Sequence, residues 1–119
     1  MIYELRIYTA YRGAMARLQA RFREYTVRLF ERHGIQNVGY WTNSIGGRSD
    51  ELWYILGYES MAQRDESWAA FPADPGWGSA RAESEKDGPL VHYIETEFSV
   101  QQTSPHSLGG RTSRTETGQ

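Results

Sequence analysis

The run Leu52-Trp53-Tyr54-Ile55-Leu56-Gly57-Tyr58 most narrows what this chain can become. Seven residues without a charge, rich in aromatic and branched side chains, read as a strand buried on both faces. Such a strand is central to its sheet and needs a neighbour on each side. The segment before it, Ile35 to Ile45, is strand-like and carries Val38, Tyr40 and Trp41. Gly46-Gly47-Arg48-Ser49-Asp50 between the two is a hairpin signal. At the N-terminus, Ile2 to Thr9 alternates, with Tyr3, Leu5 and Ile7 on one face and Glu4, Arg6 and Tyr8 on the other. The apolar row suits a helix-covered side. A fourth alternating stretch, Leu90 to Val100, follows Gly88-Pro89.

Helical patterns separate these strands. Met15, Leu18, Phe22, Tyr25 and Leu29 recur at spacings of three and four and form one stripe. Arg17, Arg21, Arg28 and Arg32 fall off it and read as a solvated face. Gly34 stands where a left-handed cap ends such a helix. Ser60 and Gln63 have the capping-box spacing before Met61, Trp68 and Phe71, and Pro72 and Pro75 close this second helix. Trp77 to Glu85 allows a further short one. The order β-α-β-β-α-β predicts an α+β, ferredoxin-like domain over residues 1–100. Its four-stranded antiparallel sheet has helices on one face and the first and third strands at its centre. Residues 101–119 hold one large aliphatic residue, Leu108, among Ser, Thr and Gly. They read as a flexible tail that buries too little to offset its ordering entropy.

Helices on one face leave the other face of the third strand uncovered. An apolar row of that kind marks an interface, and a two-fold partner laying its own sheet across it makes a homodimer. Glu4 and Arg6 then pair in a partly buried network. The net charge of −2 has the wrong sign for phosphate neutralisation, so nucleic acid is not expected as a partner. The absence of cysteine excludes disulfides, thiolate nucleophiles and cysteine metal sites. The charged start Met1 to Arg6 does not read as a signal peptide, and no segment approaches the ~20 apolar residues of a membrane span, so a cytoplasmic location is expected.

Four motifs carry a family resemblance: Tyr3-Glu4-Leu5-Arg6-Ile7-Tyr8, Glu31-Arg32-His33-Gly34-Ile35, Val38-Gly39-Tyr40-Trp41-Thr42 and Asp74-Pro75-Gly76-Trp77. Their order and spacing, from Met1 to about Val100, resemble the NIPSNAP family. Arg12-Gly13 departs from the Pro-Gly that the family often has there, a turn detail. The resemblance implies a dimeric α+β barrel, a superfamily that includes cofactor-free monooxygenases, haem-degrading enzymes, isomerases and dehydratases. It implies no particular reaction for this branch. Without an Arg/Ser-rich transit segment, the chain looks like a bacterial, single-domain member.

The residues themselves supply candidates for chemistry. His33 and His92 titrate near neutral pH and are candidate catalytic acids or bases; the plainer role of His33 is at a helix C-terminus. No two histidines have metal-ligand spacing, no glycine loop can cradle phosphate, and no cofactor is expected. Tyr8 shares a face with Arg6 and is a third catalytic candidate. Arg6, Trp41, Asn43 and Tyr54 are candidate substrate-binding residues; Trp41 with Asn43 is similar to the aromatic-plus-amide sites of cofactor-free oxygenases in the superfamily. Together these features predict a small-molecule enzyme acting without metal or organic cofactor on a modest apolar or aromatic substrate. Its chemistry would be proton transfer, isomerisation or cofactor-free oxygenation. A non-catalytic ligand-binding or protein-interaction module is the alternative.

Overall fold

The computed structural model describes residues 1–99. The segment expected to form a tail lies outside them. Strands β1 (Ile2–Ala10), β2 (Gln36–Thr42), β3 (Glu51–Tyr58) and β4 (Val91–Ser99) form one antiparallel sheet in the order β2-β3-β1-β4. β1 and β3 are central, as their patterns predict. Helix α1 (Met15–Arg21) passes through a π-helical turn, Phe22–Thr26, into α2 (Val27–Arg32). Gly34, at φ +78°, takes the left-handed conformation that turns the chain back toward β2.

Helix α3 (Met61–Ala70) starts at Ser60, whose side chain accepts a hydrogen bond from the Gln63 N–H at 3.1 Å. A 3₁₀ turn at Phe71–Ala73 leads into α4 (Pro75–Ser84). Pro75 therefore opens a helix as well as following one. Asp74 caps that helix by accepting from the Gly76 N–H at 2.7 Å, and a proline at the first helical position has no N–H to leave unsatisfied. The sheet thus carries three helical bodies: α1 with α2, α3, and α4.

The faces of β1 are the reverse of the sequence expectation. Glu4, Arg6 and Tyr8 point toward the helices, opposite the buried row Leu56, Tyr54 and Leu52 on β3. Tyr3, Leu5 and Ile7 lie on the open face with Gly57, Ile55 and Trp53. Alternation gives two rows but does not say which is covered. Counting apolar residues selects the wrong row here because Glu4, fully buried, is met by enough donors to be tolerated in the core. The hydrophobic core on this side of the sheet includes Leu18, Phe22, Phe30, Ile35, Tyr54, Leu56 and Leu90.

Arg21 is a second correction. It is buried rather than solvated: its Nη1 donates to Glu85 at 3.0 Å and to Ser84 at 3.4 Å, and its guanidinium stands 5.0 Å from the Trp77 ring. Packing of α4 against α1 covers it. The pairing register also shifts twice. β2 gains an extra residue at Val38 against β3. β4 pairs Tyr93 with Thr9 and Val91 with Ala10, leaving His92 as the extra residue of a bulge.

Candidate functional site

Between the helices and the centre of the sheet lies a linked set of polar side chains. Arg6 stands in the middle, its side chain 11% exposed. Its Nε donates to Tyr54 Oη at 2.9 Å and its Nη2 to Tyr8 Oη at 3.2 Å. Its Nη1 donates to Glu4 Oε2 at 2.9 Å and reaches Thr96 Oγ1 at 3.5 Å. The guanidinium lies 4.5 Å over the Trp68 ring, a cation–π contact in a dry setting. Strand geometry explains the row: Glu4, Arg6 and Tyr8 sit two apart on β1, and Tyr54 is directly opposite Arg6 on β3.

Glu4 is the counter-charge. Tyr58 Oη donates to its Oε1 at 2.6 Å, Arg64 Nε to Oε1 at 3.4 Å and Arg64 Nη2 to Oε2 at 3.3 Å. Trp68 Nε1 in turn donates to Tyr58 Oη at 2.8 Å. Burial pushes the Glu4 carboxyl up, but the bonds from Tyr58 and Arg64 and the charges of Arg6 and Arg64 outweigh it and hold Glu4 below the usual carboxylate range. Glu4 is therefore an ionised anchor and a weak base. Burial and the neighbouring Tyr8 raise the Tyr54 phenol well above its usual value against the opposing pull of Arg6, so it stays protonated. Two guanidiniums share one buried carboxylate, with Asp65 reaching Arg64 only at the surface, 3.3 Å away. A substrate oxygen that gains negative charge would be favoured there.

This cluster has one uncovered flank. Thr96 and Ile94 on β4 pair directly with Arg6 and Tyr8 and so share their face, yet both are exposed, Ile94 to 47%.

Of the candidate residues read from the sequence, Arg6, Tyr8 and Tyr54 come together here. The others do not. His33 caps the end of α2, with Nε2 2.7 Å from Asp74 Oδ2 and its carbonyl accepting from Ser67 Oγ at 2.6 Å. It ties three helical elements to one another. Trp41 pairs with Trp53, is 51% exposed and borders a cleft at the β2 edge; its ring lies against Gly39, where a Cβ would stand 2.5 Å from it. Asn43 donates to Arg48 O at 2.8 Å and to Glu51 Oε1 at 3.0 Å, holding the β2–β3 hairpin. His92 borders a separate open cleft at the far end of β1. A second cleft, of about 300 Å³, lies between the π-helical turn and the β2 edge and includes Phe22, Val27, Tyr40 and Leu52. Sequence reasoning missed Tyr58, Arg64 and Trp68. The available signal was a carboxylate on a central strand, which requires partners from elsewhere. Among the described residues there is no cluster suited to a metal ion, and no helix is long and apolar enough to cross a membrane.

Comparison with known proteins gives the relatives. A crystal structure of a NIPSNAP-family protein of unknown function from Agrobacterium tumefaciens is 27% identical, with a TM-score of 0.74 over 88% of this chain and 92% of that one. An uncharacterised NIPSNAP-domain protein from Burkholderia xenovorans is 19% identical, with a TM-score of 0.72 over 86% of this chain and 95% of its own. A putative antibiotic biosynthesis monooxygenase from Chloroflexus aurantiacus shares the fold at a TM-score of 0.56 and 20% identity, over 87% of this chain and 96% of that one. No curated protein matches. The NIPSNAP family model matches residues 3–105, and with this fold and these neighbours the chain belongs to the NIPSNAP family.

Proposed function

We propose that the protein is a small-molecule enzyme, working as a homodimer, that moves a proton on a modest aromatic or apolar substrate bearing a carbonyl group. The observation that carries this reading is Arg6. It is a guanidinium held almost dry against two phenols and one carboxylate, beside a flank of the sheet that the helices leave open. Arg6 would hold the carbonyl oxygen and stabilise it as an enolate. The Tyr8 hydroxyl would pass its proton to that oxygen and regain one from water, while the carbon-bound proton leaves to solvent. Glu4 and Tyr54 fix the guanidinium in place. Beyond the chain's own residues the step draws only on water as proton donor and acceptor, so neither a metal nor an organic cofactor is required. Oxygenation of an electron-rich ring is the second chemistry open to the same site; the fold shared with a putative monooxygenase favours it.

Phenylpyruvate, an aromatic keto acid with an enolisable carbon, is a direct probe. Its keto–enol exchange, followed by ultraviolet absorbance, should be accelerated by the protein and slowed about 100-fold by Tyr8→Phe, the usual worth of one positioned proton donor. Oxygen uptake with the same probe would point to the second chemistry. No acceleration and no oxygen uptake would turn the reading toward a non-catalytic binding or interaction module.

A further inference from the structure

We propose that the cleft at the end of β1 is a second ligand site, separate from the Arg6 cluster, and that it takes a small planar aromatic acid. The cleft measures about 570 Å³ and is built from three segments of chain, including Tyr11, Arg12 and Met15, Ser49 and Asp50, and His92. Backbone bonds fasten these segments together. Ala10 N donates to Asp50 O at 2.8 Å, Tyr11 N to Leu90 O at 2.9 Å, and Ala14 N to Tyr11 O at 2.9 Å. The walls are thus set before a ligand arrives, which lowers the ordering cost of binding.

The bulge in β4 aims His92 here. As the extra residue it has no partner in the register, and its ring lies 4.9 Å from that of Tyr11 with the planes tilted by 41°. Tyr11, 41% exposed, and His92 form a two-ring wall, and the Met15 side supplies a polarisable apolar surface. Bulges commonly re-aim side chains beside functional sites.

Charge selects the sign of the ligand. Asp50 is already held by Arg48 through two bonds, of 2.9 and 2.7 Å. Arg12 has no ion pair among the described residues. With Asp50 neutralised by Arg48, Arg12 leaves the cleft positive. A flat ring against Tyr11 and His92 with a carboxylate toward Arg12 satisfies both features.

The test is an NMR titration of the full-length protein with benzoate, benzamide and acetate up to about 10 mM, the weak-affinity range expected of a shallow site. Benzoate should produce saturable shifts confined to amides 10–15, 49–50 and 91–93. Benzamide and the Arg12→Gln variant should bind or be bound about fivefold more weakly, the worth of one exposed ion pair. Acetate should not saturate. Tyr11→Ala and His92→Ala should each weaken benzoate binding while leaving the rest of the spectrum in place. Absence of saturable shifts with benzoate overturns the site. Equal binding of benzoate and benzamide, or of acetate and benzoate, overturns the assigned ligand class. Unchanged benzoate binding in either ring variant overturns the aromatic wall.

Discussion

Glu4 is the residue on which the interior depends. It is a fully buried carboxylate between two guanidiniums, and its value to the fold lies in keeping both of them paired. Glu4→Gln keeps the shape and removes the charge. It should cost about 3 kcal/mol in urea unfolding, the scale of breaking a buried ion pair from one side. The pH dependence has a definite sign. A carboxyl held below its usual value contributes stability that is fully present above the unfolded value of ~4.3 and is lost as pH falls through the folded one. The stability gap between wild type and Glu4→Gln should therefore be widest near neutral pH and shrink in acid. At this scale the sequence was half legible. It showed that Glu4, Arg6 and Tyr8 share a face. It could not show that the face was the covered one, because Tyr58 and Arg64 are 54 and 60 residues away from the carboxylate that they bind.

Asp74 does at the scale of elements what Glu4 does within the core. It caps α4, bonds His33 at the end of α2, and lies 3.3 Å from Arg32. The Gly76 N–H bond and the bond to His33 hold its carboxyl below the usual range. Asp74→Ala should lower the urea midpoint, through a lost cap and a partial ion-pair loss. His33→Ala should lose less, since the backbone cap survives. It should also leave phenylpyruvate exchange within roughly twofold of wild type, as a residue remote from the reacting oxygen would. A catalytic His33 would give a much larger loss. The caps themselves were readable: Ser60 with Gln63, and Gly34 after α2, sit where their spacing places them. The dual role of Pro75 was not, since one proline can end one helix and begin the next. Nor was the π-helical turn, because the apolar spacing of three and four runs through Phe22 and Tyr25 without a break.

The whole molecule still has an open sheet face. Half-buried Leu5, Trp53 and Ile55 form its centre beside buried Ile7, with exposed Trp41 toward one edge. Helices cover the opposite side, and the proposed homodimer would cover this one. Sedimentation should give a dimer for the wild type and a folded monomer for Ile55→Glu, which places a charge at the middle of the patch; a wild-type monomer would remove the dimer from the account. The topology was legible because four alternating or apolar segments and two helical stripes admit few arrangements. The site was less so, since its members come from β1, β3 and α3, and spacing within one segment does not show which side chains meet across three. The central claim is that a substrate oxygen meets Arg6. The most direct measurement is the ¹H–¹⁵N resonance of the Arg6 Nε–H during titration with benzoylformate, a non-enolisable analogue of the probe. A saturable shift of that resonance, lost in Tyr8→Phe or weakened by it, is expected. Shifts confined to the cleft at residues 10–15, 49–50 and 91–93, with the Arg6 resonance unmoved, would contradict it.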